Sequence, residues 1–133
     1  MRRALAVLVL AVALLGLSAC GSSKSNTPAA PPPPTDLRGQ TAVDVQANSN
    51  QWHPQSIIID EGTKVTWHNG DAVAHNVKKS ADAADFGAPF GVDSGDFGPG
   101  RSYSFTFTKP GTYQYECTIH AGMTGTVEVR AKA

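Results

Sequence analysis

Nine consecutive residues, Tyr115-Glu116-Cys117-Thr118-Ile119-His120-Ala121-Gly122-Met123, constrain this chain more than any other stretch. They start as one alternating run ends and stop just before another begins. Tyr113, Tyr115 and Cys117 fall on one side of a strand period, with Gln114 and Glu116 on the other, and Val127 and Val129 repeat the alternation. A thiol, an imidazole and a thioether therefore sit three positions apart on a tight connection between two strands. Any fold for this chain has to hold such a loop rigidly at both ends.

The remaining patterns are of the same kind. Val43 and Val45 alternate with polar neighbours, Ser56 to Asp60 is an Ile-rich run closed by Glu61-Gly62, and Val65 and Trp67 alternate up to a turn at Asn69-Gly70-Asp71. Tyr103, Phe105 and Phe107 form another stripe, and Pro110-Gly111 turns the chain. These aromatics and Trp67 read as core. No helical period persists over ten residues. The expectation is an all-β, antiparallel Greek-key sandwich of roughly six to eight short strands. The Gly-, Ala- and Asp-rich segment Ser80 to Gly100 is a long loop, with a short helical turn expected at Ala81 to Asp85. It carries Asp82, Asp85, Asp93 and Asp96 and no base, so it is either a solvated loop or an acidic patch that steers a basic partner.

The N-terminal part has a different composition. Arg2 and Arg3 precede an apolar run from Ala4 to Leu17, too short to span a bilayer and suited to a signal-peptide core. Leu17-Ser18-Ala19-Cys20 resembles a bacterial lipobox, which implies cleavage before Cys20 and lipid attachment to it. From Gly21 to Gln40 Ser, Asn, Ala and Pro dominate, including Pro31 to Pro34, and the apolar content is too low to offset chain entropy. At about 3.1 Å per residue, an extended proline-rich tether of this length reaches at most roughly 60 Å. The expected organisation is residues 1–19 as lipoprotein signal peptide, 20–40 as lipidated Cys20 and flexible tether, and 41–133 as the folded domain. That places the domain outside the cytoplasm, lipid-anchored to a membrane.

The 133-residue chain has eleven basic and eleven acidic side chains. Removing Arg2 and Arg3 with the signal leaves a slight acidic excess, which argues against nucleic-acid binding. A monomer is expected. Of the two cysteines, Cys20 is assigned to lipid, so Cys117 has no disulfide partner in an oxidising compartment. A bound metal would account for its survival.

Thiolate and thioether donors are soft and favour copper, and two His plus one Cys with a weak axial Met form the electron-transfer set. Cys117, His120 and Met123 supply three of the four. The second imidazole is His75, from His75-Asn76-Val77, provided the loop after the Trp67 strand reaches the Cys117 loop at one end of the sandwich. The other imidazoles are His68, next to Trp67 on a strand face directed away, and His53, before Pro54.

From about Val43 to Arg130 the chain resembles a cupredoxin of the plastocyanin/amicyanin type. The matching segments are Val65-Thr66-Trp67, His75-Asn76-Val77, Pro99-Gly100, Gly111-Thr112-Tyr113-Gln114-Tyr115 and Cys117 through Gly125-Thr126-Val127. The Cys-x-x-His-x-x-Met spacing is similar to the short amicyanin loop. The resemblance implies one copper ion, with His75, Cys117 and His120 as in-plane ligands and Met123 as the axial one. It also implies that the Asn76 backbone N–H tunes the Cys117 sulfur, and that His120 passes the electron to redox protein partners. The chain departs from the family in having Ile119 and Ala121 beside His120 instead of Pro, and a polar Glu116 before Cys117. A copper chaperone or scavenger would use the same ligands, but Met-rich and His-rich tracts are lacking. An oxidase would need further His clusters, and metal-free adhesion leaves the Cys-His-Met loop without a reason.

Overall fold

The computed structural model describes residues 30–80 and 93–133. The expected signal peptide, Cys20, the first part of the tether, the turn at Ala81 to Asp85, and Asp82 lie outside the described residues. Among the described residues nine strands run in chain order: β1 Thr35–Asp36, β2 Ala42–Asn48, β3 Gln51–His53, β4 Ser56–Asp60, β5 Thr63–Asn69, β6 Lys78–Lys79, β7 Ser102–Phe107, β8 Gly111–Glu116 and β9 Thr124–Arg130. They form two sheets, in the orders β1-β4-β9-β8-β6 and β3-β2-β5-β7. No helix occurs among the described residues.

The period-2 alternation decides which side chains lie between the sheets. Val43, Val45 and Ala47 of β2 are buried, as are Val65 and Trp67 of β5, Ile57 and Ile59 of β4, Tyr113 and Tyr115 of β8, and Val127 and Val129 of β9. Each aliphatic chain removed from water in this way contributes about 1.5–3 kcal/mol. Trp67 is the hub, with ring centroids 5.4 Å from Tyr115, 5.9 Å from Tyr103 and 6.3 Å from Phe107. Tyr103 and Phe105 are only partly buried, packed against the rim of this core.

The all-β sandwich is as expected, but its sheets are mixed rather than antiparallel. β1 with β4, β4 with β9, and β2 with β5 are parallel pairs. Each parallel pair follows from the chain changing sheets: β3 belongs to one layer and β4 to the other, and Glu61-Gly62 returns the chain for β5. Gly62 makes that return in the left-handed region, at φ +86°, where its N–H reaches the Phe107 carbonyl at 2.6 Å. The count exceeds the expected range because β1, β3 and β6 span only two or three residues.

The folded part also begins before residue 41. β1 pairs Thr35 with Ile57 and Asp36 with Ile58, the Leu37 N–H donates to the Ile58 carbonyl at 2.8 Å, and Leu37 packs against the core. The last residues assigned to the tether are therefore an edge of the sandwich.

Since β2 and β5 are parallel, the Ser49-Asn50 turn after β2 and the loop after β5 lie at the same end of the molecule. The β8–β9 connection, residues 117–123, joins them there through the interlocking bonds described next.

Candidate metal centre

Two loops deliver the donors. The first leaves β5 at Asn69, whose buried carboxamide donates to the carbonyls of Val73 at 2.7 Å and Phe97 at 3.0 Å, while its Oδ1 accepts the Asp71 N–H at 2.9 Å. His75 then forms a two-bond bridge with Phe97: its N–H reaches the Phe97 carbonyl at 3.1 Å and its carbonyl takes the Phe97 N–H at 2.8 Å. The backbone of His75 is thus fixed between a strand end and the returning half of the long loop.

The second loop closes on itself. The Cys117 N–H donates to the Met123 carbonyl at 2.9 Å, and the Met123 N–H to the His120 carbonyl at 3.2 Å. Gly122 supplies the left-handed residue at the bend, with φ +79°. The β8–β9 ladder, with Glu116 opposite Thr124, clamps both ends.

The two loops bring His75, Cys117 and His120 together, with one donor atom from each lying within 4.8 Å of the others. The Cys117 sulfur is 3.7 Å from His75 Nδ1 and 3.6 Å from His120 Nδ1, and the two rings are 4.7 Å apart. His75 is fully buried and Cys117 nearly so, whereas His120 is partly exposed. Met123 is fully buried at the foot of the same loop. On His75 the other nitrogen, Nε2, lies 2.9 Å from the Asp71 carboxylate. A carboxylate only accepts, so Nε2 carries the proton and Nδ1 offers its lone pair toward the sulfur.

Asn76, buried beside His75, ties the loops together. Its carbonyl oxygen accepts the Thr118 N–H at 2.9 Å, and its NH₂ donates to Asp96 at 2.9 Å and Thr118 Oγ1 at 3.0 Å. Neither Asp71 nor Thr118 is marked out as a site residue by sequence patterning. The signals for Asp71 are the turn Asn69-Gly70-Asp71 and its position four residues before a candidate imidazole.

The two other imidazoles are elsewhere. His68 lies on the outer face of its sheet, between Asp44 at 2.8 Å and Ser102 at 2.7 Å, and His53 is exposed on β3.

A family model for copper binding proteins, plastocyanin/azurin family, matches residues 39–130. The chain belongs to the plastocyanin/azurin family. It is 31% identical to amicyanin of Paracoccus denitrificans over 128 residues, covering 96% of this chain and 94% of that one. Plastocyanin of Scenedesmus fuscus is 38% identical over 84 residues, 59% of this chain and 86% of the relative. The chain spans about half, 49%, of the chloroplastic plastocyanin of Physcomitrium patens, which is 38% identical over 87 residues. A reduced amicyanin variant superposes with a TM-score of 0.57 at 32% identity, covering 67% of this chain and 82% of its own. A copper-containing nitrite reductase from Thermus scotoductus gives 0.60 at 31% identity, but only 23% of that protein is covered.

The cofactor of this plastocyanin/azurin family member is a single copper ion. Its residues fit the ion on their own chemistry: a buried thiol with no disulfide partner among the described residues and two imidazole nitrogens converge on one point. Copper bound there supplies a one-electron couple. The surrounding hydrogen bonds restrain the donors, so little has to move when the charge changes.

Proposed function

We propose that this chain is a one-electron carrier of the extracytoplasmic space, held at a membrane by lipid on Cys20. His75, Cys117 and His120 are the strong ligands and Met123 the axial one, and the Asn76 backbone N–H is assigned the tuning of the Cys117 sulfur. The carrying observation is the gradient of exposure across the cluster. His75 and Cys117 are sealed, His120 alone reaches solvent, and the two exposed large hydrophobics among the described residues, Val73 and Ile119, each belong to one ligand loop. A buried redox centre with one exposed imidazole and an apolar rim suits brief docking and electron exit through His120. Donor and acceptor are redox proteins, met by the domain as a monomer. The relatives named plastocyanin and amicyanin support this role, and the small share of the nitrite reductase that is matched gives no support to that enzyme's activity here.

The test is to add cupric ion to the purified domain and record absorption and voltammetry. An intense visible band, lost on reduction and in Cys117→Ala, together with a reversible couple, supports the carrier. A colourless complex defeats it, and rapid loss of copper to a weak chelator would indicate copper handling instead. For the anchor, a labelled fatty acid should be incorporated by the wild-type chain and not by Cys20→Ser.

A further inference from the structure

We propose that Asp71 is a positioning residue for the metal centre, a carboxylate that fixes the tautomer and orientation of His75 and lowers the reduction potential of the bound copper. The inference rests on the copper-centre reading above and concerns a residue outside the ligand set.

The geometry is that of a clamp. One carboxylate oxygen accepts the Ser49 N–H at 2.7 Å; the other takes the Asn50 N–H at 3.0 Å and His75 Nε2 at 2.9 Å. Ser49 and Asn50 are the two central residues of the β2–β3 turn, and both hold left-handed backbone, at φ 55° and 56°. Non-glycine residues adopt that conformation at a cost of roughly 1 kcal/mol or more each. Here it turns two successive N–H groups toward one carboxylate, so the turn offsets part of its strain by holding Asp71. Asp71 is also fixed from its own side, because its N–H donates to Oδ1 of the buried Asn69. With its carboxylate largely covered and bound on three sides, it has little freedom to release the His75 ring.

Two consequences follow. The proton stays on Nε2, leaving Nδ1 as the donor that faces Cys117. The negative charge lies one imidazole away from the metal position, and favours the more positively charged oxidation state. Ser49 and Asn50 thereby influence the metal centre without approaching it.

The test compares Asp71→Asn, which keeps the shape and an acceptor, with Asp71→Ala, which removes both. Asp44→Asn, on the outer sheet face beside His68, controls for an equal loss of charge elsewhere. In the metal-free protein, nitrogen-15 NMR of the imidazoles should show His75 as the Nε2–H tautomer in the wild type and a mixture in Asp71→Ala. In the copper-loaded protein, both Asp71 variants should have raised potentials and Asp44→Asn an unchanged one. Copper affinity should fall roughly 10–100-fold in Asp71→Ala and less in Asp71→Asn. Unchanged tautomer and potential in both Asp71 variants would overturn the proposal, as would an equal rise in Asp44→Asn. The NMR readout needs no metal, so a failure of the copper reading leaves the positioning role separately testable.

Discussion

Asn76 and Thr118 stand 42 positions apart in the chain, yet the carboxamide of one accepts the backbone N–H of the other at 2.9 Å. The contact joins the loop that carries His75 to the loop that carries Cys117 and His120. Asn76→Ala deletes its acceptor and donor together and leaves the Thr118 N–H without this partner. The expected loss is about 1–3 kcal/mol in the metal-free protein. Thermal unfolding with and without copper checks it. A loss below about 0.5 kcal/mol would mean that the ladder alone holds the loops.

Met123 is buried at the foot of the ligand loop. Met123→Leu keeps the volume and removes the weak sulfur donor. If Cys117 and Met123 ligate copper as proposed, the intense thiolate absorption should persist and the potential should rise, because the divalent ion would lose a weak donor. Abolition of copper binding would show that Met123 holds the metal far more strongly than an axial thioether does.

Gly125 pairs with Tyr115 across β8 and β9, and the aromatic ring lies over it. A methyl added at Gly125 would stand 2.3–2.7 Å from the Tyr115 ring atoms. Gly125→Ala should therefore destabilise the domain by about 1–3 kcal/mol through overpacking. Combining it with Tyr115→Leu should cost less than the sum of the two single changes. Denaturant unfolding of the four proteins measures the coupling, and additivity would rule out the clash.

Ile119, next to His120, is 45% exposed. Replacing it with Lys should slow electron exchange between copies of the domain by about tenfold, equivalent to 1.4 kcal/mol in docking, and leave the absorption band in place. NMR line broadening in mixed oxidation states reads that rate. An unaltered rate would remove this rim as the proposed electron exit.

The hydrogen bonds from the Arg38 side chain and backbone N–H lower the pKa of Asp36 to about 2. An unfolded Asp titrates near 3.9, so the folded state favours the ionised form. The ion pair's contribution is complete above about pH 4 and disappears as the pH falls toward 2. Both groups are exposed, so the effect should be local. Protection of the Leu37 amide, which anchors β1 to β4, should fall over that interval relative to its intrinsic exchange rate, with the carboxyl carbon of Asp36 titrating near 2. A midpoint near 3.9 would remove the ion pair from the account of β1.

Much of this architecture is legible in the sequence, because burial follows alternation. The Ile-rich run is β4 to the residue, Val65 and Trp67 face inward, and Cys117 and His120, paired by their spacing, do meet the distant His75. Alternation reveals faces but says nothing about partners, so the parallel pairing of Ser56 with Thr126 leaves no trace in either segment. β1, β3 and β6 are too short to establish a period. Asn69-Gly70-Asp71 reads as a turn and is one. The groups that make Asp71 more than a turn residue, the Ser49 and Asn50 amides, lie 22 and 21 positions away. Phe97 is similar: nothing local indicates that it bridges to His75.

The pairing of β4 with β9 has a consequence for how the molecule is made. Ile57 and Ile59 can find their partners only after Val127 and Val129, 70 positions further along the chain, have been made. Until then β4 presents an unsatisfied apolar edge, and closure must await contacts between distant parts of the chain, which places folding on the slow, millisecond-to-second scale of β-sandwiches. Truncation within β9 should therefore leave a polypeptide that needs a chaperone to stay out of aggregates.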